Sequence, residues 1–271
     1  MSHLQQEFCG RLKTGQPQLG LCISYPSPGV VERIGEDWDW IWLDGQHGQL
    51  GSYDTMLSMV RACDLAGRPA MVRVPHHEFG PIGQALDMGA AGVIVPVVNN
   101  VEEARRVVQA AKFPPLGGRS YGGRRPIDVQ GRSYSDTANQ ATMLIVQIET
   151  PEAIENAAGI AAVEGVDALF LGPDDIMLRR GYSMTTPRSR ETLGNDMAAV
   201  SRACRDAGKV GVCVGIGAEM FTLCVETGFT MIVAGGDVPF LANTSSATSS
   251  EMKAILVGRQ STPPAVLASP Y

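Results

Sequence analysis

Polar residues stand in this sequence at the ends of apolar runs, where the interior of a buried strand would reject them. The run 38–44 ends in Asp44 and continues through Gly45, Gln46 and His47. The run 69–74 carries Arg73, the run 142–149 ends in Gln147 and Glu149, and the run 166–172 leads into Gly172, Pro173, Asp174 and Asp175. Glu149 and Asp175 come from consecutive runs. Two carboxylates with few nitrogen or sulfur donors nearby suit a hard divalent cation, Mg or Mn, which keeps positions for water or a bidentate substrate. Taken alone, each acid reads as a helix cap, Glu149 before Thr150 and Asp175 after Pro173. Their pairing on adjacent strands favours the metal. Asp44 can orient the His47 imidazole and raise its proton affinity, which makes a general base near neutral pH. Arg73 inside an apolar run needs a partner. It is either half of a buried salt bridge or a fork that holds an anionic oxygen and stabilises charge developing there.

Other polar features carry less chemistry. His76, His77 and Glu78 are adjacent, and adjacent residues rarely point at one ion. The stretch GGRSYGGRRP (117–126) is able to cradle an anion through backbone N–H groups and Arg119, but it has no P-loop spacing; a simpler role is a mobile rim over the site. Trp38, Trp40 and Trp42 share the parity of Asp44, so strict alternation would crowd all three onto the catalytic side; packing is their expected role. Six cysteines are scattered without a CxxC pair, which argues against a zinc site or a disulfide framework and for buried, reduced packing residues.

Eight short apolar runs rich in Val, Ile and Leu (19–25, 38–44, 69–74, 91–98, 142–149, 166–172, 209–215, 229–236) alternate with segments of helical period. Helices are expected over 52–67, after Asn100 as N-cap, from Thr150 and Pro151, and over 190–207 and 217–227. This alternation is the arithmetic of an α/β protein with a closed (β/α)8 TIM barrel, in which catalytic groups sit at the carboxyl ends of the strands. A doubly wound sheet would favour GxGxxG after the first strand, where this chain has SYPSPG. The expected organisation is one barrel domain over 1–260 and an extended or disordered tail over 261–271. Segment 114–140 is read as a functional loop or a capping excursion.

The chain has 271 residues, 44% hydrophobic and 18% charged, and a net charge of −6. That composition is globular, and the acidic balance without a basic stripe argues against nucleic acid. No apolar stretch is long enough to span a bilayer, and residues 1–16 lack the apolar segment of a secretory signal, so no membrane partner and a cytoplasmic location are expected.

The motifs DWIWLDGQHG (39–48), MVRVP (71–75), ALDMGAAGVIVPVVNNVEEAR (85–105), FPPLGGRSYG (113–122), IVQIET (145–150), GVDALFLGPDDI (165–176) and GFTMIVAGGD (228–237) together resemble the HpcH/HpaI aldolase family, in order and spacing, from about Gly20 to Asp237. These are metal-dependent class II pyruvate aldolases acting on 4-hydroxy-2-oxo acids. The resemblance implies a barrel of the phosphoenolpyruvate/pyruvate type whose last helix packs on a neighbouring subunit, in a homohexamer built as a trimer of dimers. It puts the metal (Mg, Mn or Co) on Glu149 and Asp175, the dyad on His47 and Asp44, and the enolate-steadying arginine on Arg73. Gln147 falls among substrate-lining residues. Gly172 and Pro173, with Asp174, fall in the loop whose backbone receives the pyruvate carboxylate. Asp87 matches a catalytic acid that reaches the site of an adjacent subunit. One departure is Gln46, where the family usually has Glu; the tail beyond Asp237 also matches poorly.

The implied reaction cleaves a 4-hydroxy-2-oxo acid reversibly to pyruvate and an aldehyde. The C4 hydroxyl loses its proton to a water or hydroxide on the metal, linked to the His47–Asp44 dyad. The C3–C4 bond breaks, and the metal and Arg73 hold the resulting enolate oxygen. Lys209 begins the seventh run, at the wrong end for a Schiff-base aldolase. Alternatives are a 2-oxo acid (oxaloacetate) decarboxylase, a citramalyl-type C–C lyase, or a non-catalytic 2-oxo acid binding protein.

Overall fold

The computed structural model describes residues 3–260, so the tail expected over 261–271 lies outside the described residues. Eight strands form on the eight apolar runs, β1 starting one residue before its run and the others lying within theirs: β1 (Gln18–Ile23), β2 (Trp40–Asp44), β3 (Ala70–Arg73), β4 (Gly92–Val95), β5 (Met143–Ile148), β6 (Ala168–Leu171), β7 (Val210–Val214) and β8 (Met231–Gly236). They pair in parallel in sequence order, and β8 closes on β1. Helices follow each strand, so the chain is a closed (β/α)8 TIM barrel.

Because both faces of every strand are buried, alternation sorts the side chains into two cores. Leu21, Ile41, Leu43, Val72, Val93, Val146, Leu169 and Ile232 point outward to the helices. Trp40, Trp42, Met71, Ile94, Met143, Ile145, Phe170, Val212 and Val233 fill the interior. The crowding expected from the tryptophans is relieved in two ways. Trp38 precedes β2 and lies against Phe240 with ring centroids 6.0 Å apart, outside the barrel. Trp40 is accommodated by Gly20, its register partner on β1: a Cβ there would stand 2.4 Å from the indole ring.

Helix starts follow local chemistry. The Ser52, Asn100 and Thr150 side chains accept from Thr55, Glu103 and Ala153 N–H at 3.0–3.1 Å, each capping the helix that follows. Ser189 and Thr192 form a reciprocal capping box for Arg190–Asp206. At the seam, the buried Asp237 carboxylate accepts from Ser24 N–H at 3.0 and 3.1 Å and from Tyr25 N–H at 2.8 Å, tying the end of β8 to the end of β1.

The amino end of the barrel is closed by the helix His3–Lys13, whose Phe8 and Leu12 join the interior core. Segment 114–140 lies at this same end, since it joins the end of the helix Val101–Ala111 to the start of β5. The expectation of a mobile rim over the catalytic mouth is therefore corrected. The segment folds into helices Arg124–Gln130 and Ser135–Ala141 around a small core of Phe113, Tyr134 and Ala138. Lys112 anchors it. This lysine is 1% exposed, and its ammonium donates to Asn139 O at 3.0 Å, Thr142 O at 2.7 Å and Asp167 Oδ2 at 2.7 Å. Lys209, also at the amino end, donates to Val166 O at 2.7 Å.

All three protons of Lys112 are spent, so its removal strands two carbonyls, while Asp167, 38% exposed, keeps the Leu144 N–H and solvent. Lys112→Met is expected to lower unfolding free energy by about 2 kcal/mol, the usual order for buried acceptors left without a donor. Urea unfolding followed by circular dichroism measures this; an unchanged midpoint would show that the anchor is dispensable.

Candidate active site

Asp44, Arg73 and Gln147 occupy inward positions at the carboxyl ends of β2, β3 and β5, and Glu149 follows Gln147 by one more inward step. Asp44 and Arg73 are register partners on neighbouring strands. Arg73 Nε donates to Asp44 Oδ1 at 2.9 Å and Nη2 to Oδ2 at 2.7 Å, a two-pronged pair with both residues buried. The guanidinium also lies 4.6 Å from the centroid of the Trp42 ring. Nη1 makes no hydrogen bond among the described residues and is the donor left for a ligand.

Asp44 is a further turn former. Its Oδ1 accepts from the backbone N–H groups of Gln46 at 3.0 Å and His47 at 3.1 Å. Burial works to raise its pKa, but the Arg73 fork and these two N–H groups outweigh burial and hold it below the ordinary carboxylate range. The expected Asp44–imidazole contact is corrected accordingly. Asp44 meets His47 through the backbone, its oxygens are taken by Arg73 and the turn, and the His47 side chain is exposed at the mouth. Gln46 is half-buried, and its Oε1 is buried without a partner.

Glu149 has the opposite environment. It is 2% exposed, Oε1 accepts from Val97 N–H at 2.7 Å, and Oε2 accepts from Gln147 Nε2 at 2.6 Å. Each oxygen keeps a lone pair. It does not cap the following helix; Thr150 does. Burial pushes its pKa up to about 7, against the pull of the Val97 N–H and with a further push from the Asp175 charge. The two acids expected to share a metal are thus at one end of the barrel and within electrostatic reach of each other. Asp175 stands half-exposed in the first turn of the helix Pro173–Arg179 and lies 3.9 Å from Arg179 Nη2. Gly172 makes the join possible, since a Cβ there would stand 2.7 Å from Glu149 Cβ and 2.9 Å from its Oε2.

The donor set fits a hard divalent cation. It offers two carboxylates, one held ionisable only at a cost by burial, beside a buried Gln147 Oε1 that has no partner. No cluster of three or more His, Cys, Asp or Glu exists among the described residues, so the protein would supply two acids and leave the other positions open.

Two expected site residues lie elsewhere. Asp174 points to the other flank of its helix, where Arg188 grips it at 2.7 and 2.6 Å. Asp87 ends the helix Phe79–Asp87, at the amino end of the barrel, and pairs with buried Arg119 at 2.7 Å. Arg119 is also 4.6 Å from the Phe113 ring centroid, so it belongs to the excursion's packing rather than to an anion cradle at the mouth. Asp87 is remote from the site of its own chain. Sequence reasoning missed Val97. Val97 holds a left-handed φ of 54°, costly for a β-branched residue, and this conformation accompanies the N–H contact to Glu149. Its only signal was a position between the β4 run and the Asn100 cap. Cys22 faces inward on β1, where burial, then the Asp44 charge, push its thiol up to about 12; it is an inert lining group. None of the six cysteines forms a disulfide. No helix among the described residues is long and apolar enough to cross a membrane.

Comparisons with known proteins agree with this geometry. The chain is 39% identical over 178 residues to a 4-hydroxy-2-oxovalerate aldolase of Novosphingobium aromaticivorans, covering 64% of this chain and 67% of that one. It is 31% identical over 248 residues to a 4-hydroxy-2-oxo-heptane-1,7-dioate aldolase of Shigella flexneri, covering 90% and 92%. Among solved structures, an HpcH/HpaI aldolase/citrate lyase family protein from Burkholderia cenocepacia J2315 superposes with a TM-score of 0.83 at 28% identity, over 93% of this chain and 100% of that one. An HpcH/HpaI aldolase from Desulfitobacterium hafniense DCB-2 gives 0.82 at 27%, over 90% and 96%. The profile of the HpcH/HpaI aldolase/citrate lyase family matches residues 27–244, and the chain belongs to that family.

Proposed function

We propose that the protein is a class II aldolase that cleaves a 4-hydroxy-2-oxo acid reversibly to pyruvate and an aldehyde. The observation that carries this reading is the facing of two site halves at the strand ends. Glu149 and Asp175 form an acidic pair, and opposite them Arg73 is locked flat by Asp44 and Trp42 with Nη1 unspent. Both named relatives act, by name, on acids with the same 4-hydroxy-2-oxo head and different tails.

Glu149 and Asp175 would hold a divalent cation, Mg, Mn or Co, which when bound supplies Lewis acidity to polarise the 2-oxo group. The turn at Gly172 and Pro173 offers backbone for the substrate carboxylate, and Gln147 lines the floor. His47, exposed at the mouth, is assigned the C4 hydroxyl proton. As that proton leaves, the C4–O bond becomes a carbonyl, the C3–C4 bond breaks, and its electron pair passes through C3–C2 to the oxo oxygen. Arg73 donates to that oxygen as charge gathers on it. Return of a proton to C3 gives pyruvate, and the aldehyde departs. Asp44 keeps Arg73 in plane and is not spent in the reaction. Asp87 of a neighbouring copy is the remaining candidate contribution from outside the chain.

The last helix, Asp237–Gln260, touches the barrel at β1 and β8 through its start, and residues 240–257 are exposed. At about 1.5 Å per residue it extends roughly 36 Å. Phe240, Leu241, Met252, Ile255 and Leu256 are exposed along it, which supports the proposal that it packs on a neighbouring subunit in a hexamer.

Three outcomes are expected. Pyruvate release from 4-hydroxy-2-oxo acids, coupled to lactate dehydrogenase, should stop on exhaustive chelation and return with Mg or Mn; full turnover after chelation would refute the reading. Glu149→Gln should abolish that return. It should also flatten the pH dependence of stability in the metal-free protein, because a carboxylate whose folded pKa is raised stabilises fully below its unfolded value of 4.5 and loses that contribution as pH rises through about 7. Thermal melting of the chelated protein between pH 4.5 and 8 measures this. Second, exchange of pyruvate methyl protons with D2O, followed by NMR, should fall about 100-fold in Arg73→Lys, because lysine lacks the planar fork; undiminished exchange would remove Arg73 from enolate stabilisation. Third, Leu241→Glu with Leu256→Glu should reduce the assembly mass in light scattering, and an unchanged mass would dissociate the last helix from assembly.

A further inference from the structure

Asp237 is a buried acid at the catalytic end of the barrel that takes no direct part in the reaction. It follows β8, is 4% exposed, and has no cationic partner among the described residues. Backbone N–H groups compensate its charge instead. Val238 N–H donates to Oδ1 at 2.8 Å, Tyr25 N–H to Oδ2 at 2.8 Å, and Ser24 N–H to both oxygens at 3.0 and 3.1 Å. Both oxygens are therefore needed as acceptors, which an amide of the same shape cannot offer. Ser24 is 213 residues away along the chain, so the carboxylate fixes a coil that is distant in sequence.

That coil in turn holds the turn on which His47 stands. Ser24 O accepts from Gln49 N–H at 2.7 Å. Gly48 lies against the same residue: a Cβ there would stand 3.0 Å from Ser24 O, 3.1 Å from Ser24 Cα and 2.4 Å from Asp44 O. On the other side, Gly45 N–H donates to Arg73 O at 2.9 Å, and the Gln46 and His47 N–H groups donate to Asp44 Oδ1. His47 therefore sits between two anchors. The first belongs to the Asp44–Arg73 pair. The second is Ser24, whose backbone is held by Asp237. The His47 side chain is exposed and makes no hydrogen bond among the described residues, so its aim comes from the backbone beneath it.

We infer that Asp237 is a positioning residue for the reaction: by fixing the coil at Ser24, it sets the turn that presents the His47 imidazole to the substrate. This rests on the aldolase reading, in which His47 takes the C4 hydroxyl proton. Proton transfer is sensitive to aim, since a displacement of about 1 Å in a positioned group costs up to about 100-fold in rate. Loss of Asp237 leaves the Asp44 anchor in place, so the effect is partial, about tenfold in kcat. KM is spared, because Arg73, Glu149 and Asp175 are held from β3, β5 and the helix Pro173–Arg179 and not from this coil.

The experiment follows pyruvate release from 4-hydroxy-2-oxovalerate by the Mg-loaded enzyme, coupled to lactate dehydrogenase. Asp237→Asn keeps the size of the side chain but replaces one acceptor oxygen with a donor. Gly48→Ala pushes the turn away from Ser24 with the carboxylate intact. Each substitution is made in the unmodified chain and in His47→Ala. The expected result is a kcat that falls about tenfold in each single variant, with KM within about twofold. In the His47→Ala background the further loss should be less than about twofold, since a residue that acts through His47 has nothing left to aim. An unchanged kcat in Asp237→Asn, a loss expressed in KM, or the same fold-loss in both backgrounds would overturn the inference and leave Asp237 a support for the barrel seam. If circular dichroism shows Asp237→Asn unfolded, Gly48→Ala decides by the same comparison of backgrounds. No turnover of any 4-hydroxy-2-oxo acid by the unmodified enzyme would overturn the aldolase reading and this inference with it.

Discussion

Arg73 carries a positive charge into a space walled by Trp42, Ile94 and Phe170, where an unpaired guanidinium would not be tolerated. Its partner is supplied by β-sheet register, which sets Asp44 beside it on the next strand. The two-pronged pair fixes the plane of the guanidinium, and the indole face beneath fixes its height. What remains is one nitrogen with a defined direction. Because side-chain freedom has already been lost in folding, little reorganisation is left for the moment when charge forms on a ligand. The Asp44 carboxylate is consumed in this role and in shaping the turn that carries Gln46 and His47.

The second half of the site is built on the opposite electrostatic plan. Glu149 is as buried as Asp44 but has no cation forked to it; its partners are one backbone N–H and one amide. Burial therefore dominates, and the proton is held to about pH 7. Two acids of similar depth at the same end of the barrel are thus pushed in opposite directions, one by a committed guanidinium and the other by its absence. The unmet negative charge is the feature that a divalent cation would satisfy. The strained Val97 backbone is the local cost of presenting an N–H to that carboxylate without adding a positive charge that would compete with the cation.

Most of the barrel was legible because the signal was periodic. Eight apolar runs predicted eight strands, and two-residue alternation put Asp44, Arg73, Gln147 and Glu149 on one inner surface. Periodicity is silent about what happens when a strand ends. It counted Trp38 with Trp40 and Trp42, although β2 begins only at Trp40. It read Asp44 and His47 as a side-chain pair, whereas the turn between them brings their contact through the backbone. The Gly- and Arg-rich segment was placed at the mouth on composition. Its position in the chain order, after a helix and before a strand, puts it at the opposite end. Asp237 and Val97 act through backbone N–H groups, theirs or their partners', and no residue pattern encodes those contacts.

The two ends of the barrel also divide their ion pairs by purpose. At the amino end, Lys112 and Arg119 are almost wholly buried, and each is matched to an acid and to packing around it. Such pairs define which segment sits where, and they have little capacity to respond to a ligand. At the carboxyl end the commitments are uneven. Asp44 and Arg73 are matched, Glu149 lacks a counter-charge, and Asp175 and Arg179 touch only at 3.9 Å. An incomplete set of pairings is unfavourable for the folded chain alone, but it is what a ligand with one acidic head and a metal would complete. The fold sustains that imbalance because the matched pairs and the sealed interior below it already hold the strand ends in place.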